Sequence, residues 1–272
     1  MEDNIERACK NWKQELERSI CYQRLIAGEE ELFWEQYAET YYQNRTSGPH
    51  HTEVLECLLK MIPEGSELVE IGPGPGVFTL PFAGHCSSLT VVEPSPAVIK
   101  ALRRKTTHLS NFRVIHDSWE GVSMGSYDIV FAGGVLYAFY DLKSALYKMM
   151  LHARQKVVLV TMEEEQSLLK ELATLLHLQL LAGACPSTAV ILDILKHLTS
   201  SFRCRRLTGH QQYRYPDWSA FLYIWNHGLR LIPEHIPQIQ SLIVERGGSV
   251  NAGGEITVPR LLNTFVIEVD TQ

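Results

Sequence analysis

A chain of 272 residues, 45% apolar and 21% charged, is long enough to bury a substantial core with appended helices. Its balance excludes a disordered or fibrous protein. The formal net charge of −6 argues against nucleic acid as a partner, because phosphate binding needs a concentrated basic surface. No stretch approaches the ~18 uncharged apolar residues that cross a bilayer, and the charged opening residues hold no secretory apolar block. No membrane association and a cytoplasmic location are therefore expected.

Cys9, Cys21, Cys57, Cys86, Cys185 and Cys204 are scattered, with no C-x-x-C pair and no histidine at ligand spacing. Free buried thiols, no metal site and no disulfide framework are expected. Arg203, Arg205 and Arg206 form a small basic cluster that reads as solvated surface.

In chain order, residues 1–47 read as helix, with Trp12, Leu16, Ile20, Leu25, Phe33 and Tyr37 at roughly helical spacing. Ser47-Gly48-Pro49 breaks the run, and 51–61 forms a second amphipathic helix. Strands are predicted at 68–71, 89–93, 113–115, 127–132 and 156–161, each rich in Val and Ile. Helices at 96–105 and 141–153 lie between them, the first opened by Ser95 as cap and Pro96 at the first position. Alternation at this spacing predicts a parallel sheet covered on both faces. Beyond Thr161 helices are predicted at 163–181, 188–200, 216–229 and 237–245, and 263–269 alternates as a strand that closes the sheet edge. Residues 183–235 are either an insertion or a lid.

The informative segment is Val69-Glu70-Ile71-Gly72-Pro73-Gly74-Pro75-Gly76, which follows a strand and precedes a helical run. Open α/β sheets bind ligands at this end of the strands, and glycines bring main-chain amides within reach. The third glycine arrives one residue early, with Val77 where a dinucleotide fold wants glycine. Glu93 ends the second strand about twenty residues on, where a carboxylate can accept from both hydroxyls of a ribose. Asp117, Ser118 and Trp119 follow the third strand; the first two could bond an adenine amino group, and Trp119 could cover a ring edge or anchor the core.

These segments, with Tyr127-Asp128-Ile129-Val130-Phe131, resemble the class I S-adenosylmethionine (SAM)-dependent methyltransferases over roughly residues 33–162. Phe33–Tyr41 is similar to the segment before the core of the small-molecule, quinone-biosynthesis-type members. The resemblance implies a Rossmann-like α/β fold: a seven-stranded, mostly parallel sheet of order 3-2-1-4-5-7-6, its seventh strand antiparallel, with helices on both faces. The chain is expected to divide into a helical cap at 1–50, a SAM-binding core at 51–162, a helical insertion or substrate lid at 163–235 and a closing part at 236–272. Glu70, Gly72, Gly74 and Gly76 would hold the methionine end of SAM. Glu93 would take the ribose, Asp117, Ser118 and Trp119 would flank the adenine, and Gly133 with Gly134 would lie beside the methionine portion. Pro73 and Pro75 stiffen the loop, and Pro81 falls inside the helix that follows.

Methyl transfer from a sulfonium is an in-line displacement that chiefly needs alignment and dryness. Candidates for a base are Tyr137, just after the fourth strand, His51 with its neighbour His50, and Tyr41 and Tyr42. The histidines could equally be an exposed pair. Tyr37 and Tyr41, one turn apart, could lean on the sulfonium or simply pack. The expected partner is a small-molecule acceptor, bound by a monomer or homodimer and drawn from a partly apolar class by Trp34, Tyr213, Tyr215, Trp218 and Trp225. Three rival functions remain open: an NAD(P)-dependent oxidoreductase, a nucleic-acid methyltransferase and a non-catalytic SAM-binding regulator. The second lacks an Asn/Asp-Pro-Pro-aromatic motif after strand four, which reads Phe131-Ala132-Gly133-Gly134.

Overall fold

The computed structural model describes residues 4–271; residues 1–3 of the expected first helix, and Gln272, lie outside them. The N-terminal region is helical as expected but divides into α1 (Asn4–Glu17), α2 (Ile20–Ile26) and α3 (Glu30–Thr46). After α4 (Pro49–Met61) the chain runs β1 (Glu67–Ile71), α5 (Thr79–Ala83), β2 (Ser88–Val92), α6 (Pro96–Thr106), β3 (Phe112–Ile115) and β4 (Tyr127–Gly133). Then follow α7 (Leu142–His152), β5 (Ala153–Glu164), α8 (Leu168–Leu175), α9 (Thr188–Leu198), β6 (Phe202–Tyr215), α10 (Trp218–Asn226), α11 (Ile236–Glu245), β7 (Ser249–Val250) and β8 (Ile256–Asp270). Local chemistry sets these starts. Ser95 accepts from Val98 N–H ahead of Pro96, and Asp141 and Asp217 accept from Ser144 and Ala220 N–H. Pro81 sits in a helix of only five residues, so no long helix is there to kink.

The sheet has the order β3-β2-β1-β4-β5-β8-β6, with the two-residue β7 added on β8. β1 to β5 are parallel, and β8 runs antiparallel to both β5 and β6. Leaving β7 aside, the order is the expected one. Strand alternation divides the core. Val69, Ile71, Val130, Ala132, Val157 and Leu159 face α1, α7 and α9, while Leu68, Ile129, Phe131, Val158 and Val160 face α4, α5 and α6. A third, separate core gathers α8, α10 and α11 on Tyr215, Ile256 and Val258 at the far ends of β6 and β8.

Two expectations are corrected. Residues 163–235 are not a purely helical insertion: they contain the fourteen-residue β6, which pairs along its whole length with β8 and belongs to the main sheet. An edge strand exposes most of its side chains, so β6 lacks the apolar signal of a buried strand. The thiols are also not all free and buried. Cys21 and Cys185 form a disulfide with Cα atoms 6.2 Å apart, Cys204 is exposed and Cys9 half-buried. The paired cysteines are 164 residues apart, and local spacing carries no sign of such a contact.

Among the described residues no helix is long and apolar enough to cross a membrane, and no group of His, Cys, Asp and Glu could hold a metal ion.

Candidate active site

The chain leaves β1 at Ile71 and turns through Gly72, Gly74 and Gly76 at φ +60°, +52° and +99°, a region that side chains with a Cβ rarely adopt. A Cβ on Gly72 would stand 2.4 Å from Val135 Cγ2, and one on Gly76 would stand 2.9 Å from Leu102 Cδ1. The loop is thus pressed between the segment after β4 and helix α6. Gly74 differs: the nearest atom to its Cβ position is Trp34 Cη2 at 3.9 Å, so its main chain borders a space roofed by α3.

Adjacent parallel strands bring the other candidates to the same end of the sheet. Ile71 pairs with Val92 and Ala132, and Val92 with Ile115. Gly72 N–H donates to Val92 O at 3.0 Å, and Glu93 N–H to Ile115 O at 3.1 Å. Glu93 is therefore beside the glycine turn and buried, its Oε1 accepting from Ser95 N–H at 2.8 Å. Burial first, with the nearby Glu30 and Glu31 adding to it, pushes its pKa up to about 7 against the Ser95 hydrogen bond. Glu70 lies beneath the loop at 2% exposure, accepting from Thr79 Oγ1 at 2.6 Å. Burial pushes its pKa up to about 8.

Asp117 is exposed and Ser118 half-buried; Asp117 Oδ1 accepts from Ser118 N–H at 2.8 Å, and Ser118 Oγ from Gly121 N–H at 3.1 Å. Trp119 departs from the adenine-covering expectation. It is 2% exposed in the main core and donates from Nε1 to Ala145 O at 3.2 Å, so it anchors α7 rather than an open ring site. Gly133 ends β4 against Phe131 and Phe78, each 2.9 Å from where a Cβ would stand.

The roof is α3. Glu31 in its first turn accepts from Ser95 Oγ at 2.5 Å and from Ala97 N–H at 2.7 Å, fastening α3 onto the start of α6. Its neighbour Glu30 pairs with Arg24 at 2.9 Å, leaving Oε2 buried without a partner. Sequence reading missed Arg24, Glu30 and Glu31; the one sign of them is a pair of acids at a helix start. Trp34 meets Tyr41 edge-on, with ring centroids 5.2 Å apart. Tyr37 stacks on Tyr223 of α10 with ring centroids 5.2 Å apart, joining α3 to α10.

Tyr137, in the short 3-10 turn Leu136–Ala138, is half-buried among Glu30, Arg24, Tyr41 and Glu93. Burial first, then these carboxylates, drive its phenol far above the ordinary range, which opposes its ionisation. The histidines are not an exposed pair. His50 is 4% exposed, bonded through Nε2 to Thr264 Oγ1 at 2.9 Å, with Nδ1 unpartnered. His51 is half-buried beside Phe78, and both line a cavity between α4, β5, β6 and β8. Burial, then the nearby Arg45, lowers the pKa of His51 and favours the neutral ring.

Residues 69–159 match a family model described as a methyltransferase domain. Among curated proteins the chain is similar to a probable ribosomal RNA small subunit methyltransferase A of Pyrobaculum islandicum, 32% identical over 54 residues. That stretch is 20% of this chain and 23% of the relative, so less than a quarter of the curated protein is spanned. Among solved structures, YcgJ of Bacillus subtilis superposes with a TM-score of 0.56 at 15% identity, over 81% of this chain and 98% of that one. Magnesium protoporphyrin IX methyltransferase (ChlM) of Synechocystis PCC 6803 with bound SAH gives 0.52 at 14% identity, over 70% and 93%. At these identities the superpositions establish the fold. A methyltransferase-domain match that runs from β1 into β5, on a sheet of this order, supports SAM-dependent methyl transfer on a Rossmann-like α/β fold.

Proposed function

We propose that this chain transfers a methyl group from SAM to a small-molecule acceptor, holding the donor across the carboxyl ends of β1 to β4. One observation carries the reading: the left-handed turn at Gly72–Gly76 lies beside a buried Glu93 whose Oε2 has no hydrogen-bond partner among the described residues. The residues present suit the donor. Gly74 offers bare main chain under Trp34, and the free Glu93 oxygen can accept from a ribose hydroxyl. Asp117 and Ser118 stand at the next strand end for an adenine edge, and Gly134, with nothing within 4 Å of where a Cβ would stand, leaves main chain open after β4. Glu93, Glu30 and Glu31 favour a cationic ligand and oppose a pyrophosphate, which counts against the NAD(P) reading.

When bound, SAM supplies an electrophilic methyl carbon on a sulfonium. The chain's own part is alignment and exclusion of water: Trp34, backed by Tyr41, covers the turn at Gly74, and Tyr137 stays protonated. His51, kept neutral in the adjoining cavity, takes the proton of an acidic acceptor. A small acceptor is favoured over RNA because the basic cluster on β6 is largely neutralised by its own chain. Arg203 pairs with Glu268 and Asp270, and Arg206 with Glu165.

Thermal shift tests the donor. SAM and S-adenosylhomocysteine (SAH) should raise the Tm, while NADH and NADPH leave it unchanged. Glu93→Ala should weaken SAM about tenfold to a hundredfold through the loss of charge-assisted hydrogen bonds. Stabilisation by NADH in place of SAM, or undiminished SAM affinity in Glu93→Ala, overturns the assignment.

A further inference from the structure

Two guanidinium groups flank Tyr213, and only one of them has a carboxylate. Arg260 stands 4.4 Å over the ring and is bidentate to Glu164 at 3.0 and 2.8 Å. Arg45, on the last turn of α3, donates to Tyr213 Oη at 2.9 Å and lies 5.6 Å from the Tyr41 ring centroid. Its electrostatic neighbours are those two phenols, and among the described residues no carboxylate forms an ion pair with it. Buried cations are normally paired, since desolvation without a counter-charge is costly. Arg45 is half-buried, so its remaining donors are open to an anion from outside.

The surroundings describe that anion. Arg45 lines a cavity of about 20 Å³ together with His50, His51, Gln211 and Thr264, and Val54, Phe78, Met162 and Leu262 supply apolar walls. The space is the size of a small head group. Burial, with Arg45 adding to it, holds both histidines toward the neutral form; the exposed Glu53 acts on His50 in the opposite sense. The Gln211 amide is spent on Asn44 O and Ser47 O, and His50 Nε2 on Thr264. The unspent capacity is the remaining Arg45 donors and the His51 ring, with a net charge near +1; His50 Nδ1 is buried against Gly209. A single positive charge and apolar walls suit a monoanion with an apolar body better than a phosphate dianion. Phe78, which walls this cavity, also abuts Gly133 at the donor site.

We propose that the methyl acceptor is a carboxylic acid whose head group seats on Arg45; the assignment rests on the methyltransferase reading and names the acceptor class for the same site. Isothermal titration on the full chain with SAH present measures propionate, benzoate, benzamide and inorganic phosphate. Both carboxylates should bind, with benzamide and phosphate at least about tenfold weaker than benzoate. Arg45→Gln should lose about tenfold to a hundredfold in benzoate affinity, and Arg45→Lys should recover part of it. SAH titration in parallel reports the fold of each variant; where Arg45→Gln fails to fold, Arg45→Lys and the benzoate–benzamide pair decide. Equal affinity for benzoate and benzamide, tighter binding of phosphate, or wild-type benzoate affinity in Arg45→Gln overturns the proposal. Benzoate bound through Arg45 in a chain that ignores SAH would sink the donor reading and leave the anion site standing.

Discussion

Glu70 shows how a single side chain can tie the glycine turn to pH. It is deprived of water, and its one polar contact in place of a cation is the Thr79 hydroxyl. Its folded-state pKa near 8 lies above the 4.5 of a free carboxylate, so the folded protein binds the extra proton between those values. The stabilising contribution is full below the lower value and is lost as pH rises through the upper one. Glu70→Gln keeps an acceptor for Thr79 and cannot ionise. It should gain on the wild type by about 1.4 kcal/mol per pH unit across that interval, read as ΔTm between about pH 5 and pH 8.5. A constant difference would show that Glu70 titrates like a surface acid. At this scale the sequence was a good guide to Gly72, Gly74, Gly76 and Glu93, because a left-handed turn and a strand-end carboxylate have local signatures. It was a poor guide to Trp119 and His50, whose surroundings are assembled from Ala145 and Thr264, far along the chain.

At the scale of elements, α3 and β6 were the hardest to read. α3 was legible as a helix, but its task as a roof depends on Glu31 reaching across to α6, which no periodicity records. Glu31→Ala removes the acceptor for Ser95 Oγ and Ala97 N–H. The expected outcome is faster hydrogen exchange along α3 and several-fold weaker SAM binding, with the Tm lowered by no more than a few degrees. Unchanged exchange in α3 would mean that its packing on α6, including the Lys105–Glu39 pair at 3.0 Å, holds the roof without Glu31. β6 carried no apolar run because its outward residues, Arg203, Arg205 and Arg206 among them, face solvent at the sheet edge. The central strands were legible to within a few residues because both of their faces are buried and so rich in Val and Ile.

The Cys21–Cys185 bond joins the N-terminal cap to the segment between α8 and α9, where Ser19 also bridges to Gly183. A link closing so long a loop contributes about 2–4 kcal/mol. Reduction, or Cys185→Ser, should therefore lower the Tm by about 5–10 °C. Thiol titration of the denatured oxidised chain should find four free groups against six after reduction. Six before reduction, or an unmoved Tm, would remove the bond from the account.

The β6–β8 ribbon has a consequence for how an acceptor gets in. Its middle carries Gly209, Gln211 and Thr264 beside the cavity at His50, and its far end carries Tyr215, Ile256 and Val258 into the third core. A ladder paired without a break between these two stretches cannot hinge between them without giving up consecutive hydrogen bonds. The β6–β8 wall of the cavity at His50 and the footing of α10 therefore travel as one plank. Any widening of that cavity then falls to its other walls, among them the end of α3, which bears Arg45, and the start of α4.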